Sequence, residues 1–148
     1  MEKYSVFDIA NWFLNKMSVS PKKLQKLVYY SEAWSNALYD EELISDTVFE
    51  AWAHGPVSPE LYQKYKEYGL KDIDVKETSN ITDQKVLDLL ESVWLTYGDL
   101  SANELEALTH QEDPWRRARA GYPEGSHCEV EISKHDMKVY YKSVYSGD

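Results

Sequence analysis

"SVSPKKLQKLVYYSEAWSNALYD", residues 18–40, decides the fold. Ser20 reads as a helix N-cap, with Pro21 at the first helical position. Leu24, Leu27, Val28, Ser31, Trp34 and Leu38 fall on one stripe, while Tyr29, Tyr30 and Ala33 lie off it. An amphipathic surface helix has one apolar stripe. Apolarity on two sides calls for neighbours on more than one face. The segment therefore predicts a long central helix over about 20–39, with other elements packed round it.

Upstream, Ser5 and Asp8 form a modest capping box. Val6, Ile9, Ala10, Phe13 and Met17 then follow at helical spacing, giving a first helix over about 5–17. Downstream, Ser58 and Pro59 start a third helix over 58–68, closed by Gly69. Thr82 caps a fourth over 82–97, with Val86, Leu89, Leu90, Val93, Trp94 and Tyr97 on one face and Gly98 at its end. Ser101 and Glu104 make a good capping box for a fifth over 101–109. Asp113 and Pro114 open a short helix that Gly121 ends, and Ser133 with Asp136 caps a last one carrying Met137, Tyr140, Tyr141 and Val144. Residues 47–53 read as a short extended segment, with Val48, Glu50 and Trp52 on one side and Phe49, Ala51 and Ala53 on the other; Gly55 and Pro56 are expected to break it. Its partner is 72–76 or 128–132. The expected fold is mainly α: a single compact domain over 1–148 with six or seven helices and at most a small β element near 47–53.

The chain has 148 residues, 43% apolar and 14% aromatic, with 12 Tyr and 5 Trp. That length buries about two-thirds of the unfolded surface, and so many rings place some at the surface with a wet polar tip. The formal net charge of −10 repels phosphate backbones and speaks against nucleic acid; it favours a basic or neutral protein partner. A lone cysteine, Cys128, excludes an intrachain disulfide and fits a reducing cytoplasm. No apolar run approaches the roughly 20 residues of a membrane span.

"EAWAHGPVSPELYQKY", residues 50–65, is the least generic stretch. Pro56 and Pro59 stiffen it and Gly55 permits a turn that other residues resist. One reading has Trp52 plugging the core between the second and fourth helices. The other has Trp52 and His54 aimed outward in a fixed geometry, beside the tyrosines Tyr62, Tyr65 and Tyr68; preorganisation of that kind lowers the ordering cost of binding. Both can hold together, as a buried indole with an exposed His-Gly-Pro rim.

Phosphate-loop, dinucleotide, zinc-protease and nucleophile-elbow motifs are missing. His127 beside Cys128 is a thiol–imidazole pair only in sequence, and nothing nearby lowers the thiol pKa. His110 and Glu112, with His54, could contribute to a metal or catalytic cluster, but no helical pair of histidines supports it. The plainer reading has His110 end the fifth helix with its ring near the last carbonyls, and Glu112 and Asp113 favour the next N-terminus. Arg116, Arg117 and Arg119 form a small basic cluster, either a solvated face or a contact for an acidic partner or for the fifth helix. No cofactor or metal is expected.

Three blocks carry a resemblance: "KLQKLVYYSEAW" (23–34), "FEAWAHGPVSPELYQKYKEYG" (49–69) and "YGDLSANELEALTHQEDPWRRARAG" (97–121), followed by Ile132, Ser133, Met137, Tyr140 and Tyr141. In this order and spacing they resemble the SocA-like antitoxin family, also called the Panacea domain and related to GepA-type phage-associated proteins. The resemblance implies a cytoplasmic, non-enzymatic antitoxin that binds and neutralises a partner toxin encoded beside it, with delivery of that toxin to a ClpXP-type protease as one mode. Trp52, His54, Pro56, Glu60, Tyr62, His110, Glu112 and Trp115 form the candidate partner-binding set. Two alternatives stay open: a small enzyme built on a His/Glu site, and a transcriptional regulator.

Overall fold

The computed structural model describes residues 1–147. Among them lie seven α-helices: α1 (Val6–Lys16), α2 (Pro21–Tyr39), α3 (Pro59–Tyr65), α4 (Gln84–Tyr97), α5 (Ala102–His110), α6 (Asp113–Ala118) and α7 (Lys134–Ser146). A two-stranded sheet, β1 (Glu50–Trp52) and β2 (Gly55–Val57), sits between α2 and α3 in the chain. Helix α2 is central and touches α1, α3, α4, α5, α7 and β2. Leu24, Leu27, Val28, Tyr29, Tyr30 and Ala33 are fully buried, on the stripe and off it alike. Each large apolar side chain so buried contributes roughly 1.5–3 kcal/mol. Leu38, at the end of the stripe, is exposed.

A helix covered on several sides also buries polar groups, and each needs a partner. Ser31 donates to the Leu27 carbonyl and Ser35 to the Glu41 carbonyl. Glu32 is fully buried. It accepts from the backbone N–H of Leu43 at 3.2 Å and of Ile44 at 2.9 Å, and from the Asn36 amide. Lys134, at the start of α7, lies 3.5 Å from it. One carboxylate thus ties the loop after α2 and the helix packed beside it to the central helix. Burial raises its pKa, against the pull of Lys134 and these hydrogen bonds.

The local signals predict most boundaries. Ser20, Ser58 and Ser133 cap as expected, and Ser101 with Glu104 forms the full reciprocal box. Three caps or ends differ. Asp83, not Thr82, caps α4, because its carboxylate is the group that reaches the Lys85 N–H. Ser5 caps α1, but Asp46 rather than Asp8 completes that terminus, bonding the Ser5 hydroxyl and the Val6 N–H. The third helix is α-helical only to Tyr65 and tightens into a 3₁₀ turn over Lys66–Tyr68 before Gly69.

The β element also departs from expectation. Gly55 and Pro56 do not break the strand; they form its partner, pairing with Trp52 and Ala51. Proline is tolerated on such an edge, where no ladder donor is required. On its other edge the strand meets 128–132: Ala51 N–H donates to Val130 and Ile132 N–H to Phe49. Residues 72–76 take no part, since Ile73 N–H bonds the Val19 carbonyl instead. No helix among the described residues is long and apolar enough to cross a membrane.

Replacing Glu32 by Ala should lower stability by about 2–4 kcal/mol, since it orphans two buried backbone donors and leaves Lys134 without this partner. Glu42→Ala, which removes only partly exposed ion pairs to Lys3 and Lys134, should stay within about 1 kcal/mol. Urea denaturation of both variants checks the contrast.

Candidate functional site

The hairpin is bolted down from two sides. On one, α2 supplies Gln25 and Lys26. The Gln25 amide donates to the Ser58 carbonyl at 3.0 Å and accepts from the Ser58 N–H at 2.8 Å, as a neighbouring strand would. Lys26 Nζ donates to the Pro56 carbonyl at 3.3 Å. On the other side, α6 and the residue after it supply Trp115 and Arg119. Trp115 Nε1 donates to the Trp52 carbonyl at 2.9 Å, and Arg119 donates to the carbonyls of Ala51 at 2.9 Å and Ser126 at 2.7 Å. The turn closes at Gly55, whose φ of 113° suits glycine. A Cβ there would stand 2.6 Å from Lys26 Cε.

This frame fixes Trp52. The indole N–H donates to Glu50 at 2.9 Å, and the ring meets Tyr62 of α3 edge to face at 4.9 Å. Trp52 therefore does not plug the core between α2 and α4. It walls a groove of about 430 Å³ between α2, the hairpin and α3, floored by Leu24, Val57 and Leu61. Tyr62 is 39% exposed, and Leu70 at the lip is 93% exposed. His54, at the hairpin tip, separates this groove from a wider, more polar cavity of about 870 Å³ that also includes Glu106, His110, Trp115, Arg116 and Arg119.

In that cavity the His54 ring lies 3.1 Å from Glu106, which also pairs with Lys22. Burial pushes the Glu106 carboxyl up, but the Lys22 hydrogen bond and charge outweigh it and hold the pKa below the usual range. His110 ends α5, yet its ring does not turn to the carbonyls. It stacks flat on Trp115 at 3.9 Å, and its Nε2 is buried without a hydrogen-bond partner. Burial holds its pKa down, so the neutral ring is favoured.

Of the eight expected contact residues, Trp52, His54 and Tyr62 meet at the groove, and His110 and Trp115 join His54 in the second cavity. Glu60 is exposed and bonded to Thr47. Pro56 is buried within the hairpin itself, in β2 opposite Ala51. Glu112 departs furthest from expectation. It occupies the N-cap of α6 but makes no cap hydrogen bond. Its carboxylate turns into the core, accepting from the hydroxyls of Tyr30 and Tyr141 at 2.8 Å each. It is not part of the lining shared by His54 and His110, and no group of three or more His, Cys, Asp or Glu among the described residues is placed to hold a metal ion. Cys128 is buried and His127 leans on Glu129. The basic cluster divides: Arg117 faces Asp136, and Arg119 is the buried clamp just described.

Sequence reasoning missed Gln25, Lys26 and Glu106, and placed Arg119 in the basic cluster without its role as a buried clamp. A signal existed for the first two. They are polar residues between Leu24 and Leu27 on a helix apolar on two sides, so burial with specific partners is what such a position demands.

Residues 24–116 match the family model described as "Antitoxin SocA-like, Panacea domain". The chain is 32% identical over 126 residues to "Antitoxin SocA" of Caulobacter vibrioides (strain NA1000 / CB15N), an alignment covering 72% of this chain and 66% of that relative. The chain thus spans about two-thirds of the length of the curated relative it matches. No solved structure matches it.

The buried Glu112 leaves a pH signature. Burial raises its pKa to about 7 against the tyrosine hydrogen bonds. Between the ordinary carboxyl value and about 7 the folded chain then holds a proton that the unfolded chain has lost. This contribution to stability is full below the ordinary value and fades as pH rises through 7. Glu112→Gln keeps the acceptor oxygen and removes the titration. It should gain about 1–3 kcal/mol over the parent at pH 8 relative to pH 4.5, read from urea unfolding at the two pH values.

Proposed function

This chain belongs to the antitoxin SocA-like, Panacea-domain family, and from that premise we propose that it neutralises a partner toxin protein by direct contact, without chemistry of its own. The observation that carries the reading is the groove walled by Trp52 and Tyr62. Its two aromatic walls are held in place before any partner arrives: one by the Trp115 and Lys26 bonds to the hairpin backbone, the other by helix α3, whose N-cap Ser58 is held by Gln25. Rings presented in a fixed geometry lose little freedom on binding, and aromatic anchors at the centre of an interface carry a large share of its energy. His54 and Trp115 extend the surface towards the second cavity, while Glu60 supplies a rim charge.

Glu112 in the core and the buried Pro56 of β2 act through the scaffold in this proposal, not as contacts. The same division weakens the enzymatic reading, because the imidazoles and the Glu112 carboxylate do not share a cavity lining. The toxin is expected to be the product of an adjacent gene. Occlusion of its working surface is the primary mode; delivery to a ClpXP-type protease would add loss of the toxin itself.

Co-expression with a toxic neighbour should restore growth and give a complex that survives size-exclusion chromatography. Trp52→Ala and Tyr62→Ala should each weaken that complex by about 2 kcal/mol, whereas Leu95→Ser, on an exposed face of α4, should leave it unchanged. A folded Trp52→Ala, Tyr62→Ala double variant that binds as the parent does would place the interface elsewhere. Toxin that persists at full level in the neutralised cell indicates occlusion; toxin that disappears only while the protease is active indicates delivery.

A further inference from the structure

The chain carries 26 acidic residues against 16 basic ones. Yet the groove's lining contains no Asp or Glu, and it does contain Lys22, Lys26, Lys66 and His54. The carboxylates that bond lining residues are already engaged: Glu50 accepts from the Trp52 indole, and Glu106 pairs with Lys22. Two of the lysines are not neutralised. Lys66 has no carboxylate within ion-pair distance among the described residues. Lys26 is 1% exposed, and its one hydrogen bond, at 3.3 Å, is to a neutral carbonyl. An ammonium carries three donors, so Lys26, enclosed just beneath the groove lining, keeps a charge that no carboxylate pairs with.

We propose that the groove receives an acidic apolar segment of the partner protein: a large aliphatic or aromatic side chain set between Trp52 and Tyr62, with flanking carboxylates meeting Lys66 at the surface and feeling the charge of Lys26 buried beneath the lining. The inference rests on reading this surface as the toxin contact, and it specifies the chemistry of what enters. It reverses the expectation, drawn from the net charge, of a basic or neutral partner face. Interfaces are matched patch by patch, and a local field of one sign decides which segment docks. An incoming carboxylate would also relieve Lys26, whose amine is held by burial at a pKa of about 7, with Lys22 opposing its charge and Glu106 favouring it. Leu70, 93% exposed at the lip, offers an apolar edge to the same segment.

The test uses the ¹⁵N-labelled full chain and three blocked pentapeptides: Asp-Leu-Phe-Asp-Glu, its Asn/Gln analogue and its Lys analogue. Titrations follow the Trp52 indole N–H. The acidic peptide should shift that signal and bind about tenfold tighter than the neutral one, with the Lys peptide weakest. Lys66→Glu should remove the preference for acid. Lys26→Met should raise stability, because it removes a buried amine, and should still lower affinity for the acidic peptide about threefold or more. Equal or tighter binding of the neutral or Lys peptide, an unmoved Trp52 signal, or acidic affinity unchanged in both lysine variants overturns the proposal. Failure of the two readings is separable. If the toxin complex forms and is lost in Trp52→Ala while the peptides show no acid preference, only this inference falls. If the acid preference appears but no toxic neighbour forms a complex, the charge reading of the groove stands and the antitoxin reading falls.

Discussion

A helix surrounded by protein has little water with which to satisfy its polar side chains, so each buried one on α2 must find a protein partner, within the helix, as Ser31 does, or in another element. This constraint organises the molecule. Gln25 holds the start of α3, Lys26 holds the hairpin, Glu32 holds the loop at Leu43 and Ile44, and Ser35 holds Glu41. The apolar residues between them supply the burial energy, but apolar contacts alone do not choose one arrangement of neighbours. Hydrogen bonds with fixed direction do, because an unmet buried donor or acceptor costs more than the made bond contributes.

The hairpin shows how that constraint reaches the surface. It is only two short strands, too little to be stable alone. Its carbonyls are taken by Lys26 from below and by Trp115 and Arg119 from the side, so the turn bearing His54 and the ring of Trp52 inherit the rigidity of two helices. Gly55 permits the close approach of Lys26. The buried polar chain and the exposed aromatic wall are two ends of one arrangement.

Charge is distributed in the same spirit. The excess of carboxylates lies elsewhere on the surface, while the groove keeps cations and apolar rings. Within the core, Tyr30 and Tyr141 hold Glu112, and Tyr30 stacks on Tyr97 at 3.9 Å. The many tyrosines that suggested a wet aromatic surface are in part a buried hydrogen-bonding network, in which each ring gives apolar area and each hydroxyl serves a neighbour.

What could be read from the chain alone is what depends on a few neighbouring residues. Ser20, Ser58, Ser101 and Ser133 mark helix starts because a cap reaches only two or three positions, and the two-sided apolarity of 20–39 announces a central helix because the helical period is local. The three family blocks belong to the same class of knowledge, being order and spacing. The direction of Glu112, the burial of Arg119 and the partners of Gln25 and Lys26 were not legible. Gln25 meets Ser58 across 33 positions, and Glu112 meets Tyr30 across 82. A polar residue in a helix shows that it needs a partner, but only the packed chain brings one within hydrogen-bond distance. The same holds for the groove's charge: the total of −10 is a sum over residues, whereas the field a partner meets is set by which of them folding places side by side.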